Sequence, residues 1–318
     1  MIVDILMLIA GGAGLYFGAE WLVYGTAGLA RSFGIRPIIV GLTVVAYGTS
    51  APELVVSCGA AFEGRGELVL GNILGSNIAN FGLILGATAV ISPPRVEGGL
   101  VYRELPVLIL SAAAVPLLLW DGSIGRIEAG LLFAASCVFT YFLVRSSRRN
   151  SDPAFAEPLD EGSIAASSGP SRTKLAAWSA AGLAVLLFAG KVFVDGAVSL
   201  ALGLGMSEFV VGLTIVAIGT SLPEMAASLV AALRGHSAIA VGNVVGSNIF
   251  NVLVVLGAAG LIRPISGSND ALRTDLILLA VLTFLAVLFL RTERVINRLE
   301  GGLLVAVYAG FLVLLVFR

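Results

Sequence analysis

The chain has 318 residues, of which 58% are apolar and only 12% charged, with a strongly positive mean hydropathy. A soluble domain carries charge on about a quarter of its residues, so this composition belongs to a membrane protein. The net charge of -1 comes with no basic run interleaved with aromatics, which leaves nothing to grip a nucleic acid.

The N-terminal MIVDILML carries an acid and no basic flank, so it reads as the start of a span and not as a signal peptide. About 20 residues of helix cross a bilayer. Continuous apolar runs predict ten spans, at 3–30, 36–62, 67–91, 100–120, 126–145, 174–203, 208–233, 237–262, 272–291 and 299–317. A transmembrane barrel would show short alternating segments instead. The loops after the odd-numbered spans hold thirteen basic residues, against five on the other side. That bias predicts both termini outside the cytoplasm. Residues 146–173 are rich in Ser, Pro and charge, and predict a solvated, flexible cytoplasmic tether between a first half, 1–145, and a second, 174–318. Cys58 and Cys137 lie in apolar stretches and read as small buried hydrophobes.

A shift of 171 residues lays the second half on the first without a gap. GLTVVAYGTSAPE at 41–53 falls on GLTIVAIGTSLPE at 212–224, with ten of thirteen positions identical. GNILGSNIAN at 71–80 falls on GNVVGSNIFN at 242–251, with seven of ten identical. The polar residues match best, which a duplication kept for packing alone would not require. Five spans per half is an odd number, so the two copies predict inverted repeats in an all-α membrane fold, with a site near the midplane where they meet.

Glu53 and Glu224 stand mid-span with no Lys or Arg within a helical turn. An ionised carboxylate there costs at least a few kcal/mol unless it meets water, a partner or a cation. Thr49 shares a helix face with Glu53, Ser50 flanks it, and Pro52 breaks the helix and frees carbonyls around Ala46–Thr49. Thr220, Ser221, Pro223 and Glu224 repeat the device around Ala217. Asn72, Ser76 and Asn80 form a stripe spaced by four, copied by Asn243, Ser247 and Asn251. For Asn72 and Asn243, packing and ligation weigh equally; Ser76, Asn80, Ser247 and Asn251 are better placed to meet the glutamates. The donors are all oxygens, the set preferred by Ca²⁺ and Na⁺ over zinc or copper. The one histidine, His236, falls in a short turn.

These doubled motifs resemble the signature repeats of the calcium/cation antiporter superfamily, and the whole chain is similar to the prokaryotic sodium/calcium exchangers. The resemblance implies a Ca²⁺/Na⁺ antiporter, not an enzyme, of ten helices with the second and seventh broken. It implies no cofactor and no obligate protein partner. It also implies Ca²⁺ held by Glu53 and Glu224 with backbone oxygens near Thr49 and Thr220. Sodium sites would use Ala46, Thr49, Ser76 and Glu53, and in the other repeat Ala217, Thr220, Ser247 and Glu224. Ser50 and Ser221 would stand nearby, and Asn80 and Asn251 at the centre. Some relatives carry Asp where this chain has Asn251, and the lost charge argues against K⁺ co-transport.

The rivals are a proton-coupled Ca²⁺ antiporter, a passive cation channel and an intramembrane hydrolase built on Ser50 or Ser221. The last lacks a histidine base inside any span. Glu20 and Lys191, equivalent under the shift, are expected on the surface shared by the first helix of each half and not in the ion site.

Overall fold

The computed structural model describes residues 1–96, 98–146, 170–206, 217–267, 269–292 and 295–316. Most of the expected tether, 147–169, and the first part of the expected seventh span, 208–216, lie outside the described residues.

Helices account for almost all of it. In chain order they are α1 (Ile2–Phe33), α2 (Pro37–Thr49), α3 (Ala51–Glu63), α4 (Gly66–Ile91), α5 (Gly98–Leu118) and α6 (Arg126–Ser146). After residues 147–169 come α7 (Arg172–Gly203), the single turn α8 (Ala217–Gly219), α9 (Leu222–Leu233), α10 (Ser237–Ile262), α11 (Asn269–Thr292) and α12 (Arg298–Val316). Among the described residues, eight helices are long and apolar enough to cross a membrane, and α2 with α3 forms a further span bent by 47°. The protein is a multi-pass membrane protein. The second expected span is therefore one span in two pieces, and the described part of the seventh, α8 with α9, is interrupted at the matching place.

Local chemistry sets the ends. α1 stops at Gly34, whose φ of 63° is left-handed and lets its amide bond the carbonyls of Ala30 and Arg31. α2 restarts with Pro37 in its first turn, where a missing N–H costs nothing. α7 opens on Ser171, whose hydroxyl accepts the Lys174 amide at 3.3 Å.

The two 32-residue helices α1 and α7 pack side by side along their length. Gly11 meets Phe193 and Gly25 meets Ser179, so they run antiparallel. A Cβ on Gly18 would come within 2.7 Å of the Leu186 backbone nitrogen. Backbones this close replace side-chain interdigitation with direct van der Waals contact. Behind this pair, α4 and α10 are the most enclosed of the spans.

Two short backbone bridges tie the loops. Ser123–Ile124 pairs antiparallel with Ile265–Ser266, and Arg95 bridges Val295. The 171-residue shift carries Arg95 onto Ser266 and Ile124 onto Val295, so with the repeats exchanged the two bridges fall on one another to within one residue.

Two expectations need correction. Cys137 is exposed and Cys58 only partly covered, and both are free thiols. In a bilayer the outside of the protein is itself apolar, so an apolar stretch does not imply burial. Glu20 and Lys191 also stand off the glycine-lined contact. Glu20 forms an ion pair with Arg234, at the end of α9, while Lys191 is exposed.

Candidate functional site

Each break is made by the same three-residue device. Ser50 leaves the helix with φ -82° and ψ 10°, and Pro52 stands in the first turn of α3. Ser221 has φ -91° and ψ 5°, and Pro223 occupies the first turn of α9. A proline has no N–H and crowds the carbonyl four residues back, so the ladder cannot continue through it. Glu53 and Glu224 therefore sit in first turns, where the unpaired N–H groups of a helix favour negative charge.

The two carboxylates are each 1% exposed and are held reciprocally across the repeats. The Ser50 hydroxyl donates to Glu224 Oε1 at 2.8 Å, and the Ser221 hydroxyl donates to Glu53 Oε1 at 3.4 Å. Thr49 is the second polar neighbour of Glu224, and Thr220 that of Glu53. Neither carboxylate has a Lys or Arg partner among the described residues.

Asn72 and Asn243 resolve to clamps. The Asn72 amide donates to the Glu53 carbonyl at 3.2 Å and to Ser57 at 2.9 Å. The Asn243 amide does the same to the Glu224 carbonyl at 3.2 Å and to Ser228 at 2.9 Å. They pin the backbone of the broken helices against α4 and α10. Asn243 also accepts from the Thr49 hydroxyl at 3.3 Å.

Several buried oxygens here accept nothing: Glu53 Oε2, Glu224 Oε2, Thr220 Oγ1, Ser247 Oγ, Asn80 Oδ1 and Asn251 Oδ1. Ser76, also buried, turns its hydroxyl back to the Asn72 carbonyl at 2.7 Å. The Ala46 carbonyl takes the Ser50 amide at 3.0 Å and a longer bond from the Thr49 hydroxyl at 3.4 Å. Ala217 opens the turn α8, so its carbonyl stands at the second break. The expected residues thus come from the two breaks and the two neighbouring helices.

Asn80 and Asn251 each begin a π-helical stretch, Asn80–Leu85 and Asn251–Leu256, which widens α4 and α10 at that level. A third such stretch, Gly41–Val45, precedes the first break. Sequence reading followed the four-residue stripe and missed Asn77, one position off it. Asn77 gives its amide to the Asn248 carbonyl at 3.5 Å and takes the Asn251 amide on its own oxygen at 3.0 Å. The relay fixes the polarity of Asn251: its nitrogen is committed to Asn77, and its oxygen is the atom left over. Asn77 lies inside the repeated GSN tripeptide, and that doubling was the one available signal.

An enclosed group of carboxylate, hydroxyl, amide and carbonyl oxygens suits a hard cation. Among the described residues no cluster of three His, Cys, Asp or Glu side chains forms, so the soft-metal chemistries have no ligand set.

The family described as sodium/calcium exchanger protein matches residues 3–145 and 174–317. The sodium/calcium exchanger MaX1 of Methanosarcina acetivorans is 30% identical, over 99% of both chains. Inner membrane protein YrbG of Escherichia coli K12 is 36% identical, over 98% of this chain and 96% of that one. The sodium-calcium exchanger NCX_Mj, soaked with 2.5 mM Na⁺ and 0.1 mM Ca²⁺, superposes with a TM-score of 0.83 at 31% identity, covering 97% of each chain.

Proposed function

Because this chain belongs to the sodium/calcium exchanger protein family, and is thus a membrane cation antiporter, we propose that it exchanges Ca²⁺ for Na⁺ at the site between the two helix breaks. The observation that carries this reading is the reciprocal pair of buried carboxylates, each held by a serine of the other repeat and neither neutralised by a basic side chain among the described residues.

The mechanism follows from charge and desolvation. One Ca²⁺ balances Glu53 and Glu224 together, and the oxygens of Thr49, Thr220 and the break carbonyls replace its lost water. A single Na⁺ balances only one carboxylate and finds its remaining oxygens at Ser76 and Ala46 or at Ser247 and Ala217. Ser50 and Ser221 orient the carboxylates, and Asn80 and Asn251 supply neutral oxygens at the centre. Both ions draw on the same two carboxylates, so filling the site with one expels the other. Hard-ion antiport needs no cofactor.

We place the site between two inverted repeats of five spans each, 1–145 and 174–318, joined by a cytoplasmic tether over 146–173. Both termini then face the other side. The exchanged loop bridges and the doubled clamps support this arrangement, because inverted halves meet in equivalent pairs. Alternating access is then one repeat taking up the conformation of the other around a fixed site.

The deciding measurement is uptake of labelled Ca²⁺ into vesicles holding the purified chain, driven in turn by outward Na⁺, K⁺ and H⁺ gradients. Uptake driven by Na⁺ alone is expected. Uptake driven by H⁺ alone would overturn the sodium coupling, and uptake without any counter-ion would make the protein a channel.

The relay gives a second expected result. Asn77→Ala frees the Asn251 amide to turn its nitrogen toward the ions. Losing one such buried hydrogen bond corresponds to a fall in Ca²⁺ affinity of about threefold to tenfold. Ca²⁺ titration of initial uptake rates would show the half-saturating concentration rise with the maximal rate nearly unchanged.

A further inference from the structure

Glu20 of α1 forms its ion pair with Arg234, the residue that ends α9, and Tyr16 accepts a second bond from the same guanidinium at 3.3 Å. The 171-residue shift carries Glu20 onto Lys191 and Glu63 onto Arg234. The counterpart of an acid on α1 facing a base at the end of α9 is thus a base on α7 and an acid at the end of α3. Both charges are reversed, and the pairing is preserved. A chance surface contact would place no such demand on positions 63 and 191.

The structure is not symmetric in this respect. Glu63 turns to its neighbour Arg65 at 3.0 Å, with both side chains more than half exposed. Lys191 has no ion-pair or hydrogen-bond partner among the described residues. One of the two equivalent pairs is closed and the other is open.

We infer that Glu20–Arg234 and Lys191–Glu63 are alternative latches, each closing in one of the two access states and opening in the other. The inference rests on the inverted-repeat exchange reading above. α1 and α7 pack as one pair along their length, while α3 and α9 each begin at a site carboxylate. Ten residues of helix put each latch about 15 Å from that carboxylate, and inversion puts the two on opposite sides of the membrane. When the repeats trade conformations, α7 acquires against α3 the relation that α1 now has against α9. Lys191 then reaches Glu63, and Arg234 releases Glu20. Each terminal state keeps one of the two latch pairs closed, and Glu63 exchanges its exposed partner Arg65 for Lys191 when its latch closes.

The test uses the full chain in vesicles with Cys58 and Cys137 replaced by alanine. Glu20→Cys with Arg234→Cys, and Glu63→Cys with Lys191→Cys, are joined by a bis-methanethiosulfonate linker as long as a Glu–Arg pair, which forms a reducible disulfide with each thiolate and releases methanesulfinate. The mass of the intact chain then counts the links in each molecule, and peptide mass analysis assigns them. Each pair is expected to link, each link to stop Ca²⁺ uptake until it is reduced, and the four-cysteine chain to carry one link or the other. Failure of the Glu63–Lys191 positions to link in active protein, or both links in one molecule, overturns the latch.

Where a cysteine pair does not fold, charge neutralisation decides. Glu20→Gln and Lys191→Gln should change the ratio of Ca²⁺ uptake measured from the two membrane faces about twofold to fivefold, in opposite directions. Shifts in the same direction overturn it. If links form one at a time but the unmodified chain does not exchange Ca²⁺ for Na⁺, the ion assignment fails and the latch stands.

Discussion

Glu53→Gln and Glu224→Gln are each expected to abolish Ca²⁺ exchange in protein that still folds and inserts. Each carboxylate is 1% exposed and, in the proposed site, supplies one of the two charges that balance a divalent ion. Removing one member of a buried charge pair costs about 3–5 kcal/mol, or about two to four orders of magnitude in affinity. The amide keeps the hydrogen bond from Ser221 or Ser50, because Gln still offers a carbonyl oxygen, so the loss is of charge and not of shape. Equilibrium binding of labelled Ca²⁺ to purified variants checks this directly. Binding within tenfold of the unmodified protein by either variant would show that the divalent ion does not sit between these two groups.

Gly18→Ala and Gly182→Ala form the second large effect. A Cβ on Gly18 would stand 2.7 Å from the Leu186 nitrogen and 3.0 Å from the Gly182 oxygen, both backbone atoms that no rotamer change can move. One on Gly182 would press on the Leu22 backbone in the same way. The helices must separate, at a cost of about 1–3 kcal/mol per site. Gly12→Ala, whose added carbon would be 3.9 Å from the Phe193 ring, is the control and should be neutral or slightly stabilising. Thermal unfolding in detergent ranks the three. A Gly18→Ala midpoint matching that of Gly12→Ala would mean that α1 and α7 are not closely apposed.

The sequence made the membrane class, most span positions and the doubled Glu–Pro motifs readable, because each rests on a pattern repeated along the chain. Glu53 and Glu224 stood out since a carboxylate in an apolar run has few innocuous explanations. What could not be read was relational. Whether Asn72 clamps or ligates depends on which end of its amide meets Glu53, and composition carries no trace of that choice. Asn77 matters through a bond to Asn251 on another helix, outside any helical periodicity. The π-helical turns at Asn80 and Asn251 have no residue code of their own. Glu20 finds Arg234 across 214 positions of chain, and its equivalence with Lys191 carried no trace of that partner.

The length of α1 and α7 makes the bilayer a participant. Each has 32 residues, so each is about 48 Å long against a hydrocarbon core of about 30 Å. A helix that much too long must lean steeply or carry its ends well beyond the core, and any change in its lean changes how much apolar surface meets acyl chains. If the two access states of the proposed exchange differ in that lean, acyl-chain length sets part of the energy difference between them. Turnover should pass through an optimum in a series of vesicles of graded thickness, with no change in the ion site at all.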